Sequence, residues 1–90
     1  MIPDAIILDL QREYQRSIRR HPDSEWAELT PSQMRREIEK ELNEFTDASA
    51  VNDYHGGHGM IAEMRHVIMT ALRAYRELLK RTAARCGQRE

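Results

Sequence analysis

Thr30-Pro31-Ser32-Gln33, followed by Met34, Ile38, Leu42 and Phe45, is the stretch that decides the fold. A threonine cap, a proline in the first turn and a glutamine three residues after the cap form a capping box. The apolar residues behind it recur every three or four positions, the period of a helix that buries one face. The spacing predicts a helix over 31–51. It is stopped by Asn52-Asp53-Tyr54-His55-Gly56-Gly57-His58-Gly59, with three glycines in four positions.

Upstream, Ile2, Ile6, Leu10, Tyr14 and Ile18 recur every four residues and, with Ile7, mark a helix over 3–20. His21-Pro22 ends it, because the residue before proline avoids the α region. Between 21 and 29, Ser24 is placed to cap one short turn, and Trp26 reads as a packing anchor. Downstream, Ile61, Met64, Val67, Ile68, Ala71, Leu72, Tyr75, Leu78 and Leu79 mark a long helix over 60–85. Met60, Ala62 and Met69 extend its apolar surface nearly round the cylinder, so protein is expected on most of its sides. Two further helices in one chain can hardly cover it. The expectation is a single all-α domain over 1–90, an antiparallel bundle of three main helices completed by homo-oligomerisation to a dimer or tetramer.

Ninety residues leave room for one small domain with a thin core. Aromatic residues make up 6% of the chain, too few for a base-stacking platform. The single Cys86 excludes an internal disulfide, and no apolar run is long enough for a membrane span, so a cytoplasmic setting with no membrane contact is expected. Net charge is −1, but it is distributed unevenly. Residues 37–63 carry seven acids against Lys40, and residues 64–90 carry seven Lys or Arg against two acids. A pI of about 6.4 and the lack of a DNA-binding motif argue against a nucleic-acid partner. The basic residues Lys80, Arg81, Arg85 and Arg89 are read as cations favoured at a helix C-terminus.

The chemistry lies in the acids. Glu37, Glu41 and Glu44 share one flank of the second helix, and Glu41 borders its apolar stripe. A carboxylate so near a core needs a cation, a donor or a metal. On the third helix Glu63 and His66 stand one turn apart, about 110° and 190° from the apolar centre of that helix. If they converge with Glu41 and Glu44, three carboxylates and an imidazole suit magnesium, or manganese given the nitrogen ligand. The competing reading is a solvated acidic face paired to nearby basic residues. Asp53, His55 and His58 invite a zinc reading, but glycine-flanked histidines in a mobile turn are more simply loop residues.

Lys40-Glu41-Leu42-Asn43-Glu44 followed by Glu63-Met64-Arg65-His66 resembles the all-α MazG-like nucleotide pyrophosphohydrolases. Their pattern is Glu-Glu-x-x-Glu on one helix and Glu-x-x-Asp on the next. The resemblance spans about residues 30–80. It implies an oligomeric helical bundle that binds magnesium and hydrolyses a nucleoside triphosphate to a monophosphate and pyrophosphate. Carried over by position, Glu41, Glu44 and Glu63 match motif acids and His66 takes the place of the aspartate. Lys40 stands where the first glutamate would be. If the chain acts in this way, Glu37 is a candidate accessory acid, and Arg65 and Lys40 are candidate phosphate contacts. The alternative is a non-catalytic helical interaction module that keeps the bundle without the chemistry.

Overall fold

A computed structural model describes residues 1–88, with side chains through Ala84; Arg85 and Cys86 lie outside the described side chains and Arg89 outside the described residues. The described residues form four helices: α1 (Asp4–Arg20), α2 (Asp23–Ala27), α3 (Pro31–Ala50) and α4 (Met60–Gln88). The described residues contain no strand.

The capping box forms as the sequence predicts. Thr30 Oγ1 accepts the Gln33 backbone N–H at 3.2 Å, and Gln33 Oε1 accepts the Thr30 N–H at 2.8 Å. The short turn is α2, but Ser24 does not cap it. Pro22 precedes the helix and no side chain caps it. The third predicted helix runs three residues further than expected, to Gln88.

The chain runs up through α1, down through α3 and up through α4. Met34 near the start of α3 packs with Ala74 and Trp26, while Glu44 lies beside Glu63 at the start of α4. That pairing makes α3 and α4 an antiparallel hairpin. Arg65 meets Asp9 and Arg73 meets Ser17, so α1 and α4 run parallel. Trp26 is buried in the core with Met34 and Ala74, flanked by Leu29 and Ile38, and is the anchor its isolation implied.

Within the chain, α4 packs by its charged side. Its apolar centre at Met64, Ile68, Ala71 and Tyr75 does not face the rest of the chain. All four residues are exposed, Tyr75 at 60%. The buried residues of α4 are Glu63, Met69, Arg73, Ala74 and Glu77, on nearly the opposite side of the cylinder. The α1 stripe behaves similarly: Ile2, Ile6 and Ile7 are exposed, and the buried residue of α1 is Glu13. Periodicity locates an apolar face, but it does not say which molecule covers it.

Charged groups hold the inner side of α4. Arg73 donates to Ser17 Oγ at 2.8 Å and to Asp23 at 3.0 Å, and its guanidinium lies 5.6 Å from the centre of the Trp26 ring. Arg81 donates to the carbonyls of Trp26, Ala27 and Leu29 and to Glu77. It clasps the turn between α2 and α3, a different role from the helix-end cation the sequence implied. The molecule measures 52 × 30 × 25 Å with a radius of gyration of 15.1 Å. A compact chain of this length has a radius of about 12 Å. The fold is elongated, with its apolar flank outermost.

Candidate metal centre

Antiparallel pairing of α3 and α4 sets the second half of α3 beside the first turns of α4. Glu41 and Glu44 are one turn apart on α3, and Glu63 and His66 are one turn apart on α4. Each pair therefore presents both side chains to the facing helix. Glu41, Glu44, Glu63 and His66 each offer a ligand atom, and the four atoms lie within 4.8 Å of one another. Opposite ligands of an octahedral ion with bonds near 2.2 Å stand about 4.4 Å apart, so small side-chain movements bring this set to a metal.

Burial differs across the four. Glu63 is only 2% exposed, Glu41 and His66 are half-buried, and Glu44 is on the open rim. His66 Nδ1 lies 3.4 Å from Glu63 Oε2. Glu41 Oε2 is buried and has no hydrogen-bond partner. A buried oxygen without a donor is costly, and a cation held there would offset that cost. Glu44 carries the same signature. Partial burial raises its pKa above the usual glutamate value, and the neighbouring carboxylates of Glu41 and then Glu63 raise it further.

A cleft of about 280 Å³ opens over the cluster. It is lined by the four residues together with Glu13, Arg20, His21, His58 and Thr70. Glu13 is buried and is already held by Arg16, with Arg65 at 3.9 Å. Arg65 also bonds Asp9 at 2.8 Å, so its charge is directed at α1. Lys40 and Glu37 are exposed and line a neighbouring cleft with Glu41, outside the cluster.

The glycine-rich loop is a folded turn. Asp53 Oδ1 accepts the Gly56 N–H at 2.9 Å, so that carboxylate is engaged away from the cluster. The Met60 N–H returns to the Asp53 carbonyl at 2.7 Å, and Ile61 N–H to that of Tyr54 at 3.2 Å. Asn52 takes the left-handed conformation, φ 55°, that ends α3. Asp53, His55 and His58 do not converge. His55 packs beside Tyr54, and His58 alone reaches the acids, with Nδ1 3.3 Å from Glu63 Oε1.

The four residues grouped from the sequence do lie together in the structure. It missed Glu13, which sits on the predicted polar side of α1, and it treated His58 as a loop residue. Proximity of His58 to Glu63, five positions on, was the available signal. No protein-family model, curated protein or solved structure matches this chain. No helix among the described residues is long and apolar enough to cross a membrane.

Proposed function

We propose that Glu41, Glu44, Glu63 and His66 bind a divalent cation, magnesium or manganese, and that the chain is a metal-dependent nucleoside triphosphate pyrophosphohydrolase-like protein. One observation carries the metal reading: the buried, unpartnered Glu41 oxygen amid three further ligand atoms. The raised pKa of Glu44 agrees, since a cation relieves the repulsion that raises it. The triphosphate substrate rests on the motif resemblance and on the cleft beside the cluster.

When bound, a divalent ion supplies Lewis-acid charge and lowers the pKa of a coordinated water. The chain's own residues perform the rest. Glu41 and Glu63 fix the position of the centre from two helices, and Glu44 on the rim is the carboxylate nearest solvent. Arg20 lines the cleft and has no carboxylate within ion-pair distance among the described residues, which leaves its guanidinium free for a phosphate oxygen. It fits that role better than Arg65, which is paired to Asp9.

The proposed assembly is a homo-dimer or homo-tetramer joined through α4. Ile61, Met64, Ile68, Ala71, Tyr75 and Leu78 alternate by three and four residues, the seam of a helix packed on a helix. The chain exposes 6926 Å², against about 5,500 Å² for a compact monomer of its mass. The excess, about 1,400 Å², is larger than the roughly 800 Å² that one partner contributes to a standard interface.

The test is pyrophosphate release from a panel of nucleoside triphosphates with magnesium, with manganese and with neither. Turnover that needs metal and disappears in Glu41→Gln supports the reading. No turnover by the wild type, or full turnover in Glu41→Gln, ends the catalytic claim. The second reading, a non-catalytic interaction module, is favoured by Lys40. His66 favours it too: where the family pattern has five acids, this cluster holds three carboxylates and an imidazole.

A further inference from the structure

The geometry points to His58 as a fifth ligand of the same centre, making it a site for a nitrogen-accepting transition-metal ion in preference to magnesium. This inference rests on the metal reading above and extends it to the loop.

Glu63 is almost wholly enclosed, yet each of its carboxylate oxygens faces an imidazole nitrogen. His58 Nδ1 is 3.3 Å from Oε1 and His66 Nδ1 is 3.4 Å from Oε2. Both spacings are long for a hydrogen bond between nitrogen and a carboxylate, which centres near 2.8 Å. They match the separation of neighbouring ligands round one ion. Two ligands at about 2.1 Å from a metal stand roughly 3.0–3.4 Å apart at angles between 90° and 110°. The second, independent observation is the orphaned Glu41 oxygen across the cluster.

The loop presents His58 in a fixed way. Gly59, its neighbour, is buried and admits no side chain, because a Cβ there would lie 2.7 Å from the Gly56 nitrogen and 3.1 Å from the Asp53 carbonyl. Its N–H bonds the Gly56 carbonyl at 2.9 Å, and its carbonyl accepts the N–H of Glu63. The residue after His58 is thus tied to the backbone of a cluster acid. The His58 side chain is otherwise 96% exposed, and its hydrogen-bonding contact is with Glu63. With so little of the ring packed, its contact with Glu63 sets where Nδ1 lies, at the edge of the cluster.

Two imidazoles alter the ion preference. Magnesium favours oxygen ligands in a rigid octahedron, whereas manganese, cobalt and zinc accept imidazole nitrogen. Replacing a carboxylate by His66 lowers the negative charge that would hold magnesium, and His58 adds a second nitrogen.

Calorimetric titration of the metal-free full chain with Co²⁺ and with Mg²⁺ tests this, on wild type and His58→Ala, with the cobalt visible spectrum recorded in parallel. Wild type is expected to bind Co²⁺ at least tenfold tighter than Mg²⁺. His58→Ala is expected to lose roughly tenfold or more in Co²⁺ affinity, to alter the cobalt spectrum, and to leave Mg²⁺ affinity within about twofold. Exposure of the side chain predicts an unchanged melting temperature for the metal-free variant. Zn²⁺ added to wild type with ¹⁵N-labelled histidine gives a second readout, a shift of the His58 ring nitrogens. Equal Co²⁺ binding by wild type and His58→Ala overturns the role of His58 alone. A wild type that binds no divalent ion overturns it together with the metal centre beneath it.

Discussion

Arg73, whose side chain is 1% exposed, donates to Asp23 at 3.0 Å across fifty residues of sequence. It joins the inner side of α4 to the start of α2. Burial pushes the Asp23 carboxyl up, but the Arg73 hydrogen bond and the charges of Lys80, Arg76 and Arg73 outweigh it, leaving the pKa below the usual aspartate value. A depressed carboxyl stabilises the fold above its unfolded pKa of about 3.9 and loses that contribution as pH falls through the folded value. Asp23→Ala should cost about 1 kcal/mol at pH 7, because the Asp23 side chain is 39% exposed and solvent screens its ion pairs. Urea unfolding checks this, and the gap from wild type should begin to narrow near pH 4 and close only below the folded pKa.

Metal should stabilise the protein through the four-residue cluster. An ion at one hundred times its dissociation constant contributes about 2.7 kcal/mol, or roughly 10–20 °C in melting temperature for a domain of this size. Glu41→Gln should abolish that rise while the metal-free melting temperature holds or increases, because one of three crowded carboxylates becomes neutral. Differential scanning fluorimetry with and without a chelator reads both.

Glu44 gives the opposite pH dependence to Asp23. Its raised pKa means the folded chain binds a proton more readily than the unfolded chain in the window just above about pH 4.3. Stability of the metal-free protein therefore rises as pH falls into that window. In Glu44→Gln the rise should be missing, as seen in melting temperature plotted against pH.

The outward face of α4 should drive self-association. Ile68→Glu places a charge at the middle of the seam and should reduce the sedimenting mass to 10.6 kDa, with helical content retained. A wild type that already sediments at that mass removes the oligomer from the proposal.

Gly59 and Gly57 form a matched pair. Gly59→Ala forces a Cβ against backbone and should cost about 1–3 kcal/mol. At Gly57 a Cβ meets nothing within 4 Å, and Gly57→Ala should change stability by less than about 0.5 kcal/mol. Chemical denaturation of both variants measures the contrast.

The sequence made local features legible and left long-range ones hidden. Thr30, Pro31 and Gln33 specify a helix start within four residues, and the structure reproduces it. Glu41, Glu44, Glu63 and His66 could be grouped because helical spacing places each pair on one face and a tight loop makes the helices neighbours. The facing of α4 was not legible, since Met64 and Ile68 look the same whether their own chain or another molecule lies against them. The clasps of Arg73 on Asp23 and Arg81 on the Leu29 carbonyl join residues about fifty apart and leave no periodic trace. His58 was passed over because glycine-rich composition implies freedom, whereas Asp53 and Gly59 tie the loop into a turn.

Asp9 with Arg65 and Ser17 with Arg73 are both fifty-six positions apart. The two rods thus advance tooth for tooth, like meshed racks of equal pitch. One residue inserted into either rod between its two teeth would rotate the later one by about 100° and unmesh it. The same insertion at the exposed Gly57, where a side chain meets nothing within 4 Å, would leave the gearing untouched, so length variation belongs at the one joint that no neighbour grips.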